Sequence, residues 1–203
     1  MRQFLVILIL LKFVCSAPLI WKEDRNLTWS FRDPYYVFAN EFSYQKAKLV
    51  LSDAFREWEV ATKGLLFTFT DTSPNARHDP ENFKSKAKID ILFAKKEHGD
   101  EENFDGRNGI IAHAGAKHGK AFIHFDGSER WASDSKVKGR LNLRHVSLHE
   151  IGHILSLDHN NRQDSIMNPY YTDFTNNKDK KEDIYLGADD DDVISLMKIY
   201  NKL

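Results

Sequence analysis

Thiols are almost missing from this chain, which has one cysteine, Cys15, in 203 residues. Long apolar runs are scarce too: only Phe4 to Leu11 forms one, preceded by Arg2 and followed by Lys12, Phe13, Val14, Ser16 and Ala17. That run falls far short of the roughly 20 residues needed to span a bilayer, so it reads as a secretory signal and not as an anchor. Cleavage after Ala17 would place Pro18 beside the cut, which is unfavourable, so the expected cut follows Ser16. Either cut removes Cys15. The expected mature chain then has no disulfide, no thiolate metal ligand and no thiol nucleophile, even in an oxidising compartment. A charge excess of one sign is lacking as well, with 29 basic against 30 acidic residues. Without Arg2 and Lys12 the balance is 27 against 30, or about −3, and it favours neither nucleic acid nor an anionic membrane. Repeats and low-complexity tracts are absent. The expected organisation is a signal peptide over 1–16 and a single soluble domain over 17–203.

What the chain does have is a dense group of metal-ligand residues in His149-Glu150-Ile151-Gly152-His153-Ile154-Leu155-Ser156-Leu157-Asp158-His159. His149 and His153 are four apart, so on a helix they lie one turn above the other and can aim at one metal. Glu150 sits beside them, within reach of a metal-activated water, in the place of a general base. If the helix ends near Ser156 and the chain turns back, His159 completes a three-histidine set with an open fourth position, the mark of catalytic zinc. A bare His-Glu-x-x-His also arises on amphipathic helices with two surface histidines. Here the pattern extends to His159 and is followed by Ser165-Ile166-Met167-Asn168-Pro169-Tyr170, which looks like the methionine turn beneath the metal of metzincin peptidases.

Upstream, histidines and carboxylates recur from residue 98 to 131. His98, Asp100, His113 and His124 offer three imidazoles and a carboxylate, a closed set suited to structural zinc. Asp105, Asp126 and Glu129, with carbonyls around Gly106, Asn108 and Ile110, offer oxygen ligands suited to calcium. Polar loop decoration accounts for either group taken alone.

Leu27 to Phe31 reads as a strand, and Ser43 as the N-cap of a helix to about Val60 with the core stripe Ala47, Val50, Leu51, Ala54, Phe55 and Trp58. Leu65 to Thr70 and Lys88 to Phe93 read as strands, separated by a polar loop over Pro74 to Phe83. Asp189 to Asp192 open a last helix through Val193, Leu196, Met197 and Tyr200, where acidic residues favour the positive end of the dipole. Asn26-Leu27-Thr28 is an N-glycosylation sequon at a strand edge.

Together with the zinc stretch and methionine turn, His98-Gly99-Asp100, Phe104-Asp105-Gly106, Ala112-His113-Ala114 and His124-Phe125-Asp126 resemble, in order, a catalytic domain of the matrixins, the matrix metalloproteinase family. The resemblance covers nearly all of the expected mature chain. It implies an α+β metzincin (zincin-like) fold, a twisted five-stranded mixed sheet with three helices, and a cleft bordered by the edge strand near Ile111 and Ala112. It makes His149, His153 and His159 catalytic-zinc ligands, Glu150 the base, and Met167 the residue beneath the metal. It assigns His98, Asp100, His113 and His124 to structural zinc, and Asp105, Gly106, Asn108, Ile110, Asp126 and Glu129 to calcium. Two zinc ions and at least one calcium per chain are therefore expected. His145, Pro169 and Tyr171 match the pocket for the residue after the scissile bond, Thr172 to Leu186 its variable rim, and Asp191 a ligand of the mature amino terminus. His78 and His118 are left as surface residues.

Four departures stand out. The glycine that ends the family helix is Ser156, and the serine after the third histidine is Asn160. No cysteine-bearing propeptide lies between the signal and the first strand, and no propeller (hemopexin-like) domain follows Leu203, so latency by a cysteine switch is not expected. The resemblance implies a secreted, monomeric zinc metalloendopeptidase (EC 3.4.24 type) acting on extracellular proteins or peptides, such as extracellular matrix, with a separate protein inhibitor as a partner. The alternatives are a zinc-containing binding protein of this fold that has lost activity, for which Ser156 is the one argument, and a peptidase of another metzincin group.

Overall fold

The computed structural model describes residue 21 and residues 23–77, 85–100, 102–134, 136–171 and 185–201, together with the backbone of Lys12–Phe13. The rest of the expected signal peptide, the far half of the polar loop at 78–84 and the pocket rim at 172–184 lie outside these residues.

The sheet is built on its most apolar strand. Strand β4 (Ile89–Ala94) is buried at five of six positions, because it pairs on both sides and is covered on both faces. Its one partly exposed side chain, Asp90, forms an ion pair with Arg32 of β2 (Asn26–Arg32). On one side β4 pairs in parallel with β2, which pairs in parallel with β3 (Thr68–Asp71). On the other side it pairs in parallel with β6 (Lys120–Asp126), whose antiparallel neighbour is β5 (Ala112–Lys117). These five strands are the mixed sheet expected from the sequence. A sixth is added at the edge, since Lys12–Phe13 (β1) pair in parallel with His113 and Ala114. Trp131–Ala132 (β7) and Leu141–Asn142 (β8) form a separate two-stranded ladder.

Three helices complete the described fold. Helix α1 (Glu41–Ala61) is capped by Asn40, so the expected N-cap at Ser43 is displaced by three residues. Ser43 is instead the reciprocal member of the capping box: its amide donates to Asn40 Oδ1 at 2.9 Å, and its hydroxyl accepts from the Asn40 amide at 3.2 Å. The buried stripe contains the expected Ala47, Leu51, Ala54, Phe55 and Trp58, and adds Tyr44 and Ala61. It lies on the sheet through stacked rings, Trp29 on Phe55 at 5.1 Å and Phe31 on Tyr44 at 4.8 Å. Each such ring contributes ~1.5–3 kcal/mol by burial. On its flank, the Trp58 indole donates to the Leu148 carbonyl at 3.0 Å and fixes helix α2 (Leu143–Ile154). Nearly every residue of α2 is buried, which places it as the central helix of the molecule. Helix α3 (Asp191–Ile199) is capped by Asp190. Among the described residues, no helix is long and apolar enough to cross a membrane.

Candidate metal centre and active site

Helix α2 ends as its sequence demands. Ser156 N donates to His153 O and Leu157 N to Gly152 O, both at 2.9 Å, a pair of bonds that reverses the chain through a left-handed residue. That residue is Ser156, at φ 79°. The reversal brings His159 back to the helix, where the Nε2 atoms of His149 and His159 lie 3.0 and 3.1 Å from that of His153. His149 Nδ1 lies 2.7 Å from the Ile166 carbonyl and His153 Nδ1 2.8 Å from that of Leu157, so both Nδ1 atoms carry the proton and donate. The Nε2 lone pairs of these two rings therefore face one another with no proton between them, an arrangement that needs a cation. Nitrogens held about 2.0–2.1 Å from a tetrahedral zinc lie about 3.3 Å apart, close to the observed spacing. Burial pushes the pKa of His149 well down and that of His153 to about 4, which keeps both rings neutral and available as ligands.

Glu150 stands beside this set, fully buried, and among the described residues neither carboxylate oxygen has a hydrogen-bond partner. Burial raises its pKa well above the ordinary carboxylate range. A buried carboxyl without donors is costly in a resting fold, and it is what a site that handles protons needs.

The floor is the turn at Ser165–Met167. Asp192, buried in the first turn of α3, accepts from Ser165 Oγ, from the Ile166 amide at 2.9 Å and from Asn160 Nδ2 at 3.3 Å. It thereby places the Ile166 carbonyl that orients His149. Asp191 forms an ion pair with Arg162; the mature amino terminus that it was expected to hold lies outside the described residues.

A second group gathers where β5 and β6 face the loop at 96–104. Asp100 Oδ2 lies 2.9, 2.7 and 2.6 Å from His98 Nε2, His113 Nε2 and His124 Nδ1. Burial works against the Asp100 carboxylate, but the three imidazole contacts outweigh it and hold its pKa far below the usual range. His98 and His113 are flanked by the Phe104 ring, which stacks on both at 4.8 Å. Four donors so arranged leave no open position, as in structural rather than catalytic sites.

The expected oxygen ligands are less closely gathered. Asp105 Oδ1 accepts from the Ile110 amide at 3.0 Å, and Glu129 Oε1 from the Asn108 amide at 2.5 Å. Among the described residues Asp126 Oδ2 is buried without a partner, and the Asp126 charge acts on Glu129. The carboxylates of Asp105, Asp126 and Glu129 do not form a group within 4.8 Å, the span of each histidine group. Gly106 and Asn108 both take positive φ, at 94° and 65°, in the loop between them.

Of the expected pocket residues, Tyr171 stands edge-on to His145, with ring centroids 5.4 Å apart, and its hydroxyl accepts from the Asn142 amide at 2.9 Å. Burial, with help from the Arg144 charge, lowers the His145 pKa to about 4. Pro169 is partly exposed, and Ile111 and Ala112 are buried where β5 begins. Sequence reasoning missed Asp192 as the support of the Met167 turn, and Trp21, whose indole donates to the Ile154 carbonyl at 2.9 Å. The acidic run Asp189 to Asp192 was the one sequence signal for the first, and it does not say which of the four turns inward.

The Matrixin family pattern matches residues 20–201. The chain is 31% identical over 191 residues to the hatching enzyme of Paracentrotus lividus, covering 94% of this chain and 28% of that protein. It is 32% identical over 186 residues to matrix metalloproteinase-25 of Homo sapiens, covering 90% of this chain and 30% of the relative. With the neutrophil collagenase of Homo sapiens it shares 34% identity over 152 residues, 73% of this chain and 28% of the relative. It thus spans about a third or less of the length of these relatives. A match across residues 20–201, carried on an α+β fold that gathers both histidine groups, establishes that the chain belongs to the matrixin family of metallopeptidases.

Proposed function

We propose that this chain is the catalytic domain of a secreted zinc endopeptidase, with His149, His153 and His159 as catalytic-zinc ligands and Glu150 as general base. The observation that carries this is the convergence of the three Nε2 atoms beside a buried, unpartnered Glu150. Zinc, when bound, supplies Lewis acidity that brings a water's pKa toward ~7 and polarises the scissile carbonyl. His149 and His153 are held in register by the Ile166 and Leu157 carbonyls, so their orientation is set before substrate arrives. Glu150 takes the proton of the attacking water on a carboxylate oxygen and returns it to the leaving amine, a role that its raised pKa favours. The peptide adds as a strand beside β5 near Ile111 and Ala112, and its side chain after the scissile bond enters between His145, Pro169 and Tyr171.

His98, Asp100, His113 and His124 suit a second, structural zinc. Asp126 and Glu129, with Asp105 and the carbonyls of Gly106, Asn108 and Ile110, suit calcium once the loop closes about the ion, and the orphaned Asp126 Oδ2 supports this. Ser156, the one argument for an inactive relative, takes the left-handed conformation and keeps His159 in the set. The substrates are extracellular proteins or peptides.

Digestion of a peptide library by purified residues 17–203 tests the assignment, with Glu150→Ala as control. The variant keeps its zinc and loses at least ~10²-fold in kcat, since a positioned base contributes 10²–10⁴. Wild-type turnover by a zinc-loaded Glu150→Ala protein would refute it.

A further inference from the structure

A helix leaves its last four carbonyls without partners of its own, and in α2 the following turn satisfies three of them. Ile151 accepts from the Leu155 amide at 3.0 Å, and Gly152 and His153 accept from the Leu157 and Ser156 amides at 2.9 Å. The fourth carbonyl, that of Ile154, takes its bond from 133 positions away. The Trp21 indole N–H donates to it at 2.9 Å, and the bond is buried.

The segment that delivers this indole is itself braced. Trp21 is 3% exposed and belongs to the same core cluster as Ile154, Leu155 and Leu157. Its carbonyl accepts from the Asp24 amide at 3.1 Å, and Asp24 forms an ion pair with Lys88. The Arg25 guanidinium donates to the Leu65 and Leu66 carbonyls at 3.1 and 3.0 Å.

The end of α2 reaches the metal set through His153. Its Nδ1 is held by the Leu157 carbonyl at 2.8 Å, and Leu157 is placed by the bond from its own amide to Gly152. Without the indole donor the Ile154 carbonyl would be buried and unpaired, a state relieved by opening the last turn to water. That opening pulls on residues 155–157, and so on the partner that orients His153.

We propose that Trp21 is a positioning residue for His153, acting through the Ile154 carbonyl, and that the active chain must therefore retain Trp21. This rests on the zinc-peptidase reading. It also sets a limit on amino-terminal processing. A cut between Trp21 and β2, where Glu23 and Arg25 are exposed, would sever the donor from the domain and weaken the catalytic metal.

The test compares residues 17–203 as wild type, His149→Ala and Trp21→Phe with a protein of residues 23–203. Zinc affinities are read by competition with a chromogenic chelator, and backbone exchange by deuterium uptake in the zinc-loaded proteins. His149→Ala identifies which zinc belongs to the three-histidine set. Trp21→Phe keeps an apolar ring and removes the donor. It should weaken that zinc by about tenfold, the lower end for loss of a partner that orients a ligand, since Trp21 acts one link further out. The zinc of the Asp100 group should stay within about twofold, as an independent site. Residues 23–203 should show the same selective loss. Amides of residues 155–157 should exchange faster in Trp21→Phe while those of α1 and β4 keep their protection. An unchanged three-histidine affinity overturns the proposal. So does an equal loss at both zinc sites, or protection lost throughout, either of which would mean that Trp21 only holds the fold together. If His149→Ala leaves every zinc affinity unchanged, the zinc-peptidase reading itself fails and the proposal falls with it.

Discussion

The sulfur of Met167 occupies the space that a side chain on Gly152 would need, since a Cβ built there would lie 2.4 Å from Sδ and 3.4 Å from Trp58 Cζ2. Helix α2 therefore rests directly on the Met167 turn, and both glycine and methionine are fixed by one contact. Met167 is fully buried. Gly152→Ala should destabilise the fold by about 1–3 kcal/mol through overpacking, despite the better helix propensity of alanine. The urea midpoint measures it. The same change in a Met167→Ala background should cost far less, and an equal cost in both backgrounds would mean that the contact is not the cause.

Metal content offers a second check. Asp100 and its three imidazoles make a group separate from His149, His153 and His159, so two zinc ions per chain are expected in a fully loaded preparation. Chelation should lower thermal stability along with activity, because binding free energy at such a site is folding free energy. His113→Ala should reduce the count to one and lower Tm while His149 and His153 still hold theirs. A fully loaded wild-type protein with one zinc would end the upstream assignment.

The two histidine groups were legible because side-chain chemistry dominates them. Spacing of four puts His149 and His153 on one helical face whatever the surroundings, and the need for a left-handed reversal at Ser156 follows from where His159 must return. Capping was less legible, since Asn40 and Ser43 are both good caps and only the reciprocal bond pattern separates them. Asp192 was hidden for another reason. Four consecutive aspartates all suit a helix start, and only tertiary packing decides that Asp192 turns inward to Ser165 and Ile166 while Asp191 turns out to Arg162. Pairing of β1 with β5 joins residues about a hundred positions apart, which periodicity in the sequence does not report.

The pocket histidine gives a pH dependence. Burial lowers the His145 pKa from 6.5 to about 4. Between these values the unfolded chain binds the proton and the folded chain does not, so stability rises with pH across the window. Its contribution is complete above ~6.5 and is lost as pH falls toward 4, by at most ~3 kcal/mol because the side chain is not wholly enclosed. In zinc-free protein, His145→Leu should lose less stability than wild type between pH 7 and 4.5. In the proposed pocket, the His145 imidazole, uncharged at neutral pH, would make the floor shallower and more polar than leucine. Cleavage profiles of the two proteins should then differ at that subsite, with leucine favouring longer apolar residues. Identical profiles would remove His145 from the pocket, and identical pH slopes would remove it from the titration.

The edge of the sheet sets a last expectation. An edge strand offers one row of unpaired amides and carbonyls and can take one added segment at a time. Here Lys12 and Phe13 lie in parallel register with His113 and Ala114, on the side of β5 where a peptide substrate would add. Protein retaining residues 1–16 should therefore cleave slowly at first, because its own backbone competes for that row. Protein beginning at residue 17 has this row open. With zinc and calcium loaded, it should cleave a quenched peptide from time zero, since it also contains no thiol to occupy an open metal position. Progress curves of the two proteins, matched for metal content, decide the matter. Equal initial rates would show that β1 does not compete with substrate. A lag in the shorter protein that ends with trimming near residues 22–25, seen by mass spectrometry, would instead place the inhibitory contact in the segment before β2.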